Sequence, residues 1–146
     1  MNIREMKIDD YAAVYQLWLN TAGMGLNDVD DSQQGIARML QRNPTLSFVA
    51  EENKQIVGVI LAGQDGRRGY IYHTAVHQDY RNQSIAQRLV EMVLDQMKAL
   101  TISKVGLFIF QTNGIGNSFW QKMGFNIRTD TYYRNHALTE LERIDT

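Results

Sequence analysis

The stretch Ala75-Val-His-Gln-Asp-Tyr-Arg-Asn-Gln-Ser-Ile-Ala86 constrains the fold of this chain more than any other segment, because it must carry a strand through a short polar turn into a helix. Upstream, residues 70–76 are rich in aromatic and β-branched side chains, which suit a half-buried pleated surface. Downstream, Ile85, Leu89, Met92, Val93 and Met97 recur at helical spacing as far as Leu100. Arg81, Asn82, Gln83 and Ser84 lie between, all small or polar and none a carboxylate. A helix that starts there presents unpaired backbone N–H groups and the positive end of its dipole, which favour a phosphate or pyrophosphate. An ordinary strand–turn–helix with a polar turn fits the same residues.

The remaining pattern predicts a strand over residues 2–7 and a helix capped by Asp9 or Asp10, with Tyr11, Val14, Leu17 and Trp18 on one face. Gly23 and Gly25 break that helix. A second helix starts at Asp31 or Ser32, runs through Ile36, Met39 and Leu40, and stops at Asn43-Pro44. Residues 46–50 and 55–62 read as a hairpin, and Asp65-Gly-Arg-Arg-Gly69 as a tight turn into the strand already described. After the long helix come a strand over 105–110, a further helix, and a strand pair over 125–133 and 137–142. The order β-α-α-β-β-β-α-β-α-β-β supports a mixed α/β (α+β) domain.

At 146 residues the chain makes one domain, residues 1–146, with a proper core. Its formal net charge of -1 argues against a general nucleic-acid binder. The absence of Cys excludes disulfides, thiolate metal sites and a Cys nucleophile, and no metal is expected. The charged start, Met1-Asn-Ile-Arg-Glu-Met-Lys7, lacks the apolar core of a signal peptide, and no run is long enough to span a membrane. A cytoplasmic location is the resulting expectation.

Two segments resemble one family. Arg81-Asn-Gln-Ser84-Ile-Ala86 is similar to the acetyl-CoA-binding motif of the GNAT acetyltransferases, Arg/Gln-x-x-Gly-x-Gly/Ala after a strand ending in Val, with Ser84 in the usual Gly position. Asn113-Gly-Ile-Gly-Asn-Ser-Phe-Trp-Gln-Lys-Met-Gly-Phe125 resembles the later GNAT segment, with Gly116 in its Ala position and Trp120 in its Tyr position. The motifs occur in family order. The resemblance implies the GNAT fold, a central mixed but mostly antiparallel sheet flanked by helices. It also implies acetyl-CoA as acyl donor and transfer to the amine of a small molecule or peptide by direct attack in a ternary complex. Family members are often dimers, which leaves a homodimer open. A catalytically silent CoA-binding or interaction module on the same fold is the alternative, suggested by Ser84 together with Trp120.

The resemblance places CoA on the backbone from Asn82 through Gln83, Ser84 and Ile85 to Ala86, with charge from Arg81, and along Ala75, Val76 and Asn113. Asn113 reads equally well as a helix N-cap. The backbone N–H of Val76 is expected to polarise the thioester carbonyl, and the flanking strands to splay so that the pantetheine arm enters the gap. Strict alternation puts Tyr70, Tyr72, Thr74 and Val76 on one face and Ile71, His73 and Ala75 on the other. The family places a base or relay upstream of Val76 on its face, which points to Tyr72 and Tyr70. Since neither is a strong base, a water chain to Glu51, Glu52 or an acidic loop residue would finish the relay. His73 is expected to face away. With Trp120 replacing the family's acid, Tyr132 and Tyr133 are candidate proton donors, although aromatic packing explains them too. In the loop of residues 23–31, Asp28 and Asp30 are expected, with Tyr72, to contact the ammonium substrate.

Overall fold

The computed structural model describes residues 1–146. The chain order is β1 (Asn2–Glu5), α1 (Tyr11–Leu19), β2 (Leu26–Asn27), α2 (Gln33–Arg42), β3 (Phe48–Glu52), β4 (Gln55–Gln64) and β5 (Arg68–Val76). It continues through α3 (Ile85–Ala99), β6 (Lys104–Leu107), α4 (Gly114–Lys122) and β7 (Arg143–Ile144). β1, β3, β4, β5 and β6 form one sheet in that spatial order. Every pairing in it is antiparallel except β5–β6, which is parallel and follows the crossover through α3.

The sheet is covered on both faces, which explains why residues 57–62 read as an unbroken apolar run rather than an alternating one. On one face Ile85, Leu89, Val90, Val93 and Met97 of α3 pack against Phe48, Ala50, Ile60, Ala62 and Ile71. On the other, Val14, Leu17 and Trp18 of α1 and Ile36 of α2 pack against Val49, Val59, Leu61 and Ala75. Ser32 caps α2, its Oγ accepting the Gly35 N–H at 3.0 Å.

Two features break regular geometry, and both shape the site. The β4–β5 register steps from Ile60↔Thr74 to Ala62↔Ile71, so Tyr72 and His73 together oppose Leu61. This β-bulge reverses the side-chain phase of β5: Ile71 lies in the α3 core while Ala75, four residues on, lies in the α1–α2 core. The expected strict alternation along 70–76 is thereby corrected. In addition, β5 and β6 pair only from Arg68↔Lys104 to Ile71↔Leu107. Beyond that point the strands part.

The predicted terminal strand pair over 125–133 and 137–142 does not form. Residues 126–141 make no main-chain hydrogen bond, and Tyr132 and Leu138 are 93% and 95% exposed. The four-residue β6 ends at Leu107, which leaves only a short edge to pair with. The segment is instead fastened at its ends. Phe125 packs edge-on against Trp120 with centroids 5.1 Å apart. At the other end β7 pairs with β2, Leu26 opposite Ile144, while Asp28 N–H donates to the Glu142 carbonyl and Glu142 N–H to Asp28 Oδ1. A strand propensity without a facing edge yields no ladder.

Candidate active site

The turn before α3 is built for close backbone approach. Asn82 and Ser84 both sit in the left-handed region, at φ of 62° and 60°. The family's Gly thus occupies a position where positive φ is required, and Ser84 adopts it at a steric cost. Ser84 makes no side-chain cap, and the N–H groups from Asn82 to Gln87 donate to no carbonyl of the chain. Arg81 Nε donates to the Val76 carbonyl at 3.2 Å, drawing the turn back over the end of β5. Free donors, a fifteen-residue helix dipole and a guanidinium converge there, a combination that favours an anion such as a phosphate.

Val76 stands at the mouth of the gap between β5 and β6. His77 N–H bonds to the Val57 carbonyl at 2.8 Å, and Val76 opposes Gly58. Because N–H groups alternate in direction along a strand, that of Val76 points away from β4, toward the gap. The gap opens into a cavity of about 380 Å³ lined by Thr21 to Gly25, Ile71 to Thr74, Leu107 to Phe110, Asn113 and Trp120. Phe108 to Phe110, expected within a strand, form its wall instead. Asn113 caps α4 through Oδ1, which accepts Gly116 N–H at 2.9 Å, and also lines this cavity. Both readings of Asn113 therefore hold. Trp120 is buried and braced edge-on by Phe119 and Phe125.

A second cavity of about 490 Å³ lies on the α2 side, lined by Asn27, Asp30, Asp31, Gly35, Arg38, Arg42 and Leu61 among others. Gly25, Tyr72 and His73 line both cavities. The bulge is the reason, since it turns adjacent residues toward the same side of the sheet.

His73 is the residue whose surroundings strand alternation did not reveal. It does keep to the Ala75 side, as expected, but that side carries the second cavity. His73 Nε2 lies 2.7 Å from Asp31 Oδ1, and its ring meets Trp18 edge-on at 5.0 Å. Asp31 is 4% exposed; its Oδ2 accepts the Asn27 N–H at 2.9 Å and its carbonyl accepts the Tyr11 hydroxyl at 2.6 Å. A carboxylate at this distance favours the tautomer in which Nε2–H donates to Asp31 and Nδ1 carries the free lone pair.

The other expected groups fall into place or away from it. Tyr72 is 48% exposed, and burial, followed by neighbouring Tyr70, Tyr133, Asp65 and Asp30, pushes its hydroxyl above the ordinary phenol value. It stays protonated near neutral pH, which suits it to donate a hydrogen bond rather than to act as a base. Tyr70 pairs across to Gly63 and Gly106 and lines neither cavity. Glu51 and Glu52 are removed from the site: they lie on β3, one beside Arg4 at 3.4 Å and the other bound to the N-terminal ammonium at 3.2 Å. The expected water chain to them is corrected accordingly. Asp30 lines the second cavity and accepts from Asn27 Nδ2 at 2.9 Å, whereas Asp28 lines neither and holds Glu142. Tyr133 packs against Phe108 with the rings tilted by 47° and centroids 4.4 Å apart, at the rim of the first cavity.

Comparison with known proteins agrees with this geometry. Residues 11–125 match the model of the acetyltransferase (GNAT) family. The chain is 33% identical over 125 residues to acetyltransferase ECA0875 of Pectobacterium atrosepticum, covering 86% of this chain and 87% of that one. It is 31% identical over 140 residues to acetyltransferase SG1711 of Sodalis glossinidius, covering 96% and 97%. Among solved structures, Ard1 from Thermoplasma volcanium superposes with a TM-score of 0.78 at 21% identity, covering 88% of this chain and 84% of that one. The PaiA N-acetyltransferase from Thermoplasma acidophilum, in complex with coenzyme A, superposes at 0.76 and 16% identity, covering 89% and 92%. No helix is long and apolar enough to cross a membrane. From its sequence relatives and its splayed sheet alike, this chain belongs to the GNAT family of acetyltransferases.

Proposed function

We propose that the protein transfers an acetyl group from acetyl-CoA to a primary amine by direct attack in a ternary complex, with His73 as proton acceptor. The observation that carries this reading is the meeting of two cavities at the Tyr72–His73 bulge, one walled by the parting strands β5 and β6 and the other by α2. The α3 turn and Arg81 hold the pyrophosphate, and the gap between β5 and β6 receives the pantetheine arm. Val76 N–H donates to the thioester carbonyl as negative charge develops on its oxygen. His73 Nδ1 takes the amine proton while Asp31 steadies the imidazolium that results. Tyr72, held protonated, supplies a hydrogen bond to the departing sulfur, a duty that the indole of Trp120 performs less well. Asp30 faces the incoming ammonium. This assignment supersedes the Tyr70–Tyr72 relay, because Tyr70 is outside both cavities.

Calorimetry with acetyl-CoA, followed by release of free thiol with a panel of amines, tests the reading. Binding in the micromolar range and amine-dependent thiol release are expected. His73→Gln should lower kcat by about 10²–10⁴-fold with acetyl-CoA affinity kept, the ordinary range for losing a general base. Acetyl-CoA binding without turnover of any amine would favour the silent module, and no acetyl-CoA binding would overturn the reading altogether.

A further inference from the structure

Acetyl transfer through His73 leaves one wall of the second cavity unused. Arg38 and Arg42 of α2, both solvent-exposed, border it one helical turn apart and hence on one face. No carboxylate of the chain forms an ion pair with either. The carboxylates of the same region have other partners: Asp31 has His73 and the Asn27 N–H, Asp28 has the Glu142 N–H, and Asp30 has Asn27 Nδ2 at Oδ2, with its Oδ1 left for an ammonium. The cavity is therefore polarised, with Asp30, Asp31 and His73 beside the donor channel and two uncompensated guanidiniums farther along α2. Guanidiniums recognise carboxylates through paired, charge-assisted hydrogen bonds.

We infer that the acceptor is a bipolar molecule, a small primary amine that also carries a carboxylate, as an amino acid does. Its amine meets His73 and Asp30, and its carboxylate is held by Arg38 and Arg42. This inference rests on the acetyl-transfer reading and adds a substrate class to it. The helix sets a ruler. From Gly35, Arg38 is about 4.5 Å and Arg42 about 10 Å along the α2 axis. Amino acids whose two charges are several bonds apart therefore span the lining better than the shortest ones.

The test uses the full chain and acetyl-CoA with glycine, β-alanine, 4-aminobutyrate, 6-aminohexanoate, alanine and phenylalanine, each against its own amide. An acidic tripeptide amide against its Asn or Gln counterpart distinguishes a peptide source of the same chemistry from a free amino acid. The acids should exceed their amides in kcat/KM by about tenfold or more, the scale of a charge-assisted contact. For α-amino acids this preference would run against intrinsic reactivity, because their amides have the less basic and more often neutral amine. In R38A/R42A the acid-to-amide ratio should collapse toward one through KM, while R38K/R42K keeps part of it. A thermal melt and acetyl-CoA calorimetry establish that each variant is folded. Preference for the acidic tripeptide alone keeps the carboxylate rule and moves the source to peptides. Equal or better use of amides, a ratio unmoved in the folded R38A/R42A protein, or acetyl-CoA binding with no carboxylate-bearing amine acetylated would each overturn the inference. Failure to bind acetyl-CoA would instead overturn the acetyl-transfer reading beneath it.

Discussion

Ser84 and His73 show how differently single residues speak from a sequence. Ser84 stands in a Gly position, and the structure supplies the reason Gly is preferred there, a left-handed φ of 60° immediately before α3. Asn82, also left-handed, is a residue type that tolerates that region. Ser84→Gly should relieve about 1 kcal/mol of strain, partly offset by the greater freedom of Gly in the unfolded chain. The expected net gain is about 0.5 kcal/mol, a rise of about 1–2 °C in melting temperature. Acetyl-CoA affinity, read by calorimetry, should be equal or tighter, because the change removes a Cβ from beside the free N–H groups of the turn. A lower melting temperature would mean that the Ser84 side chain contributes a contact outweighing its strain. His73 gave no comparable signal. Its place beside Asp31 depends on a residue 42 positions earlier and on a bulge set by pairing with β4.

At the scale of elements, local pattern located the helices and the central hairpin well, since each buries an amphipathic stripe or a continuous apolar run. The strands around the site were harder to read. The bulge at Tyr72–His73 leaves no trace in the alternation of residues 70–76, because the extra residue is defined only against Leu61 of β4. The terminal strand pair failed for a related reason: residues 126–141 have strand-like composition, but whether they pair is decided by the edge they meet. The small β2–β7 ladder was invisible because each strand has only two residues. Its reinforcement is the reciprocal pair between Asp28 and Glu142, at 2.7 Å for the side-chain bond and 3.0 Å for the main-chain one. Asp28→Ala should remove about 1 kcal/mol of stability and release the C-terminal segment. Limited proteolysis should then cut between residues 126 and 142 faster than in the parent, with acetyl-CoA binding little changed. An unaltered cleavage rate would show that β7 is held without Asp28.

On the scale of the whole molecule, the two cavities meet at Tyr72–His73 because β5 is anchored to β4 on one side and released from β6 on the other. What keeps that sheet in register with α1 is a charged cluster at the opposite edge. Arg4 of β1 bonds both oxygens of Asp10 at 2.9 Å, Lys7 N–H donates to Asp10 at 2.8 Å, and Glu51 of β3 accepts from Arg4 at 3.4 Å. Burial pushes the Asp10 carboxyl up, but the hydrogen bonds from Arg4 and Lys7, with their charges, outweigh it and hold the group below the ordinary carboxylate value. The sign of the pH effect follows. A carboxyl with a depressed folded value stabilises the protein fully above its unfolded value, about 3.9, and loses that contribution as pH falls through the lower folded value. Asp10→Asn keeps the shape and removes the charge, so at pH 7 it should cost about 1–3 kcal/mol, as expected for breaking a largely buried charge-assisted pair. Urea unfolding at pH 7 and again near pH 3 should show the gap between parent and variant narrowing on acidification. A gap that stays constant or widens toward low pH would show that the Asp10 carboxylate is not what fastens the β1 edge to α1.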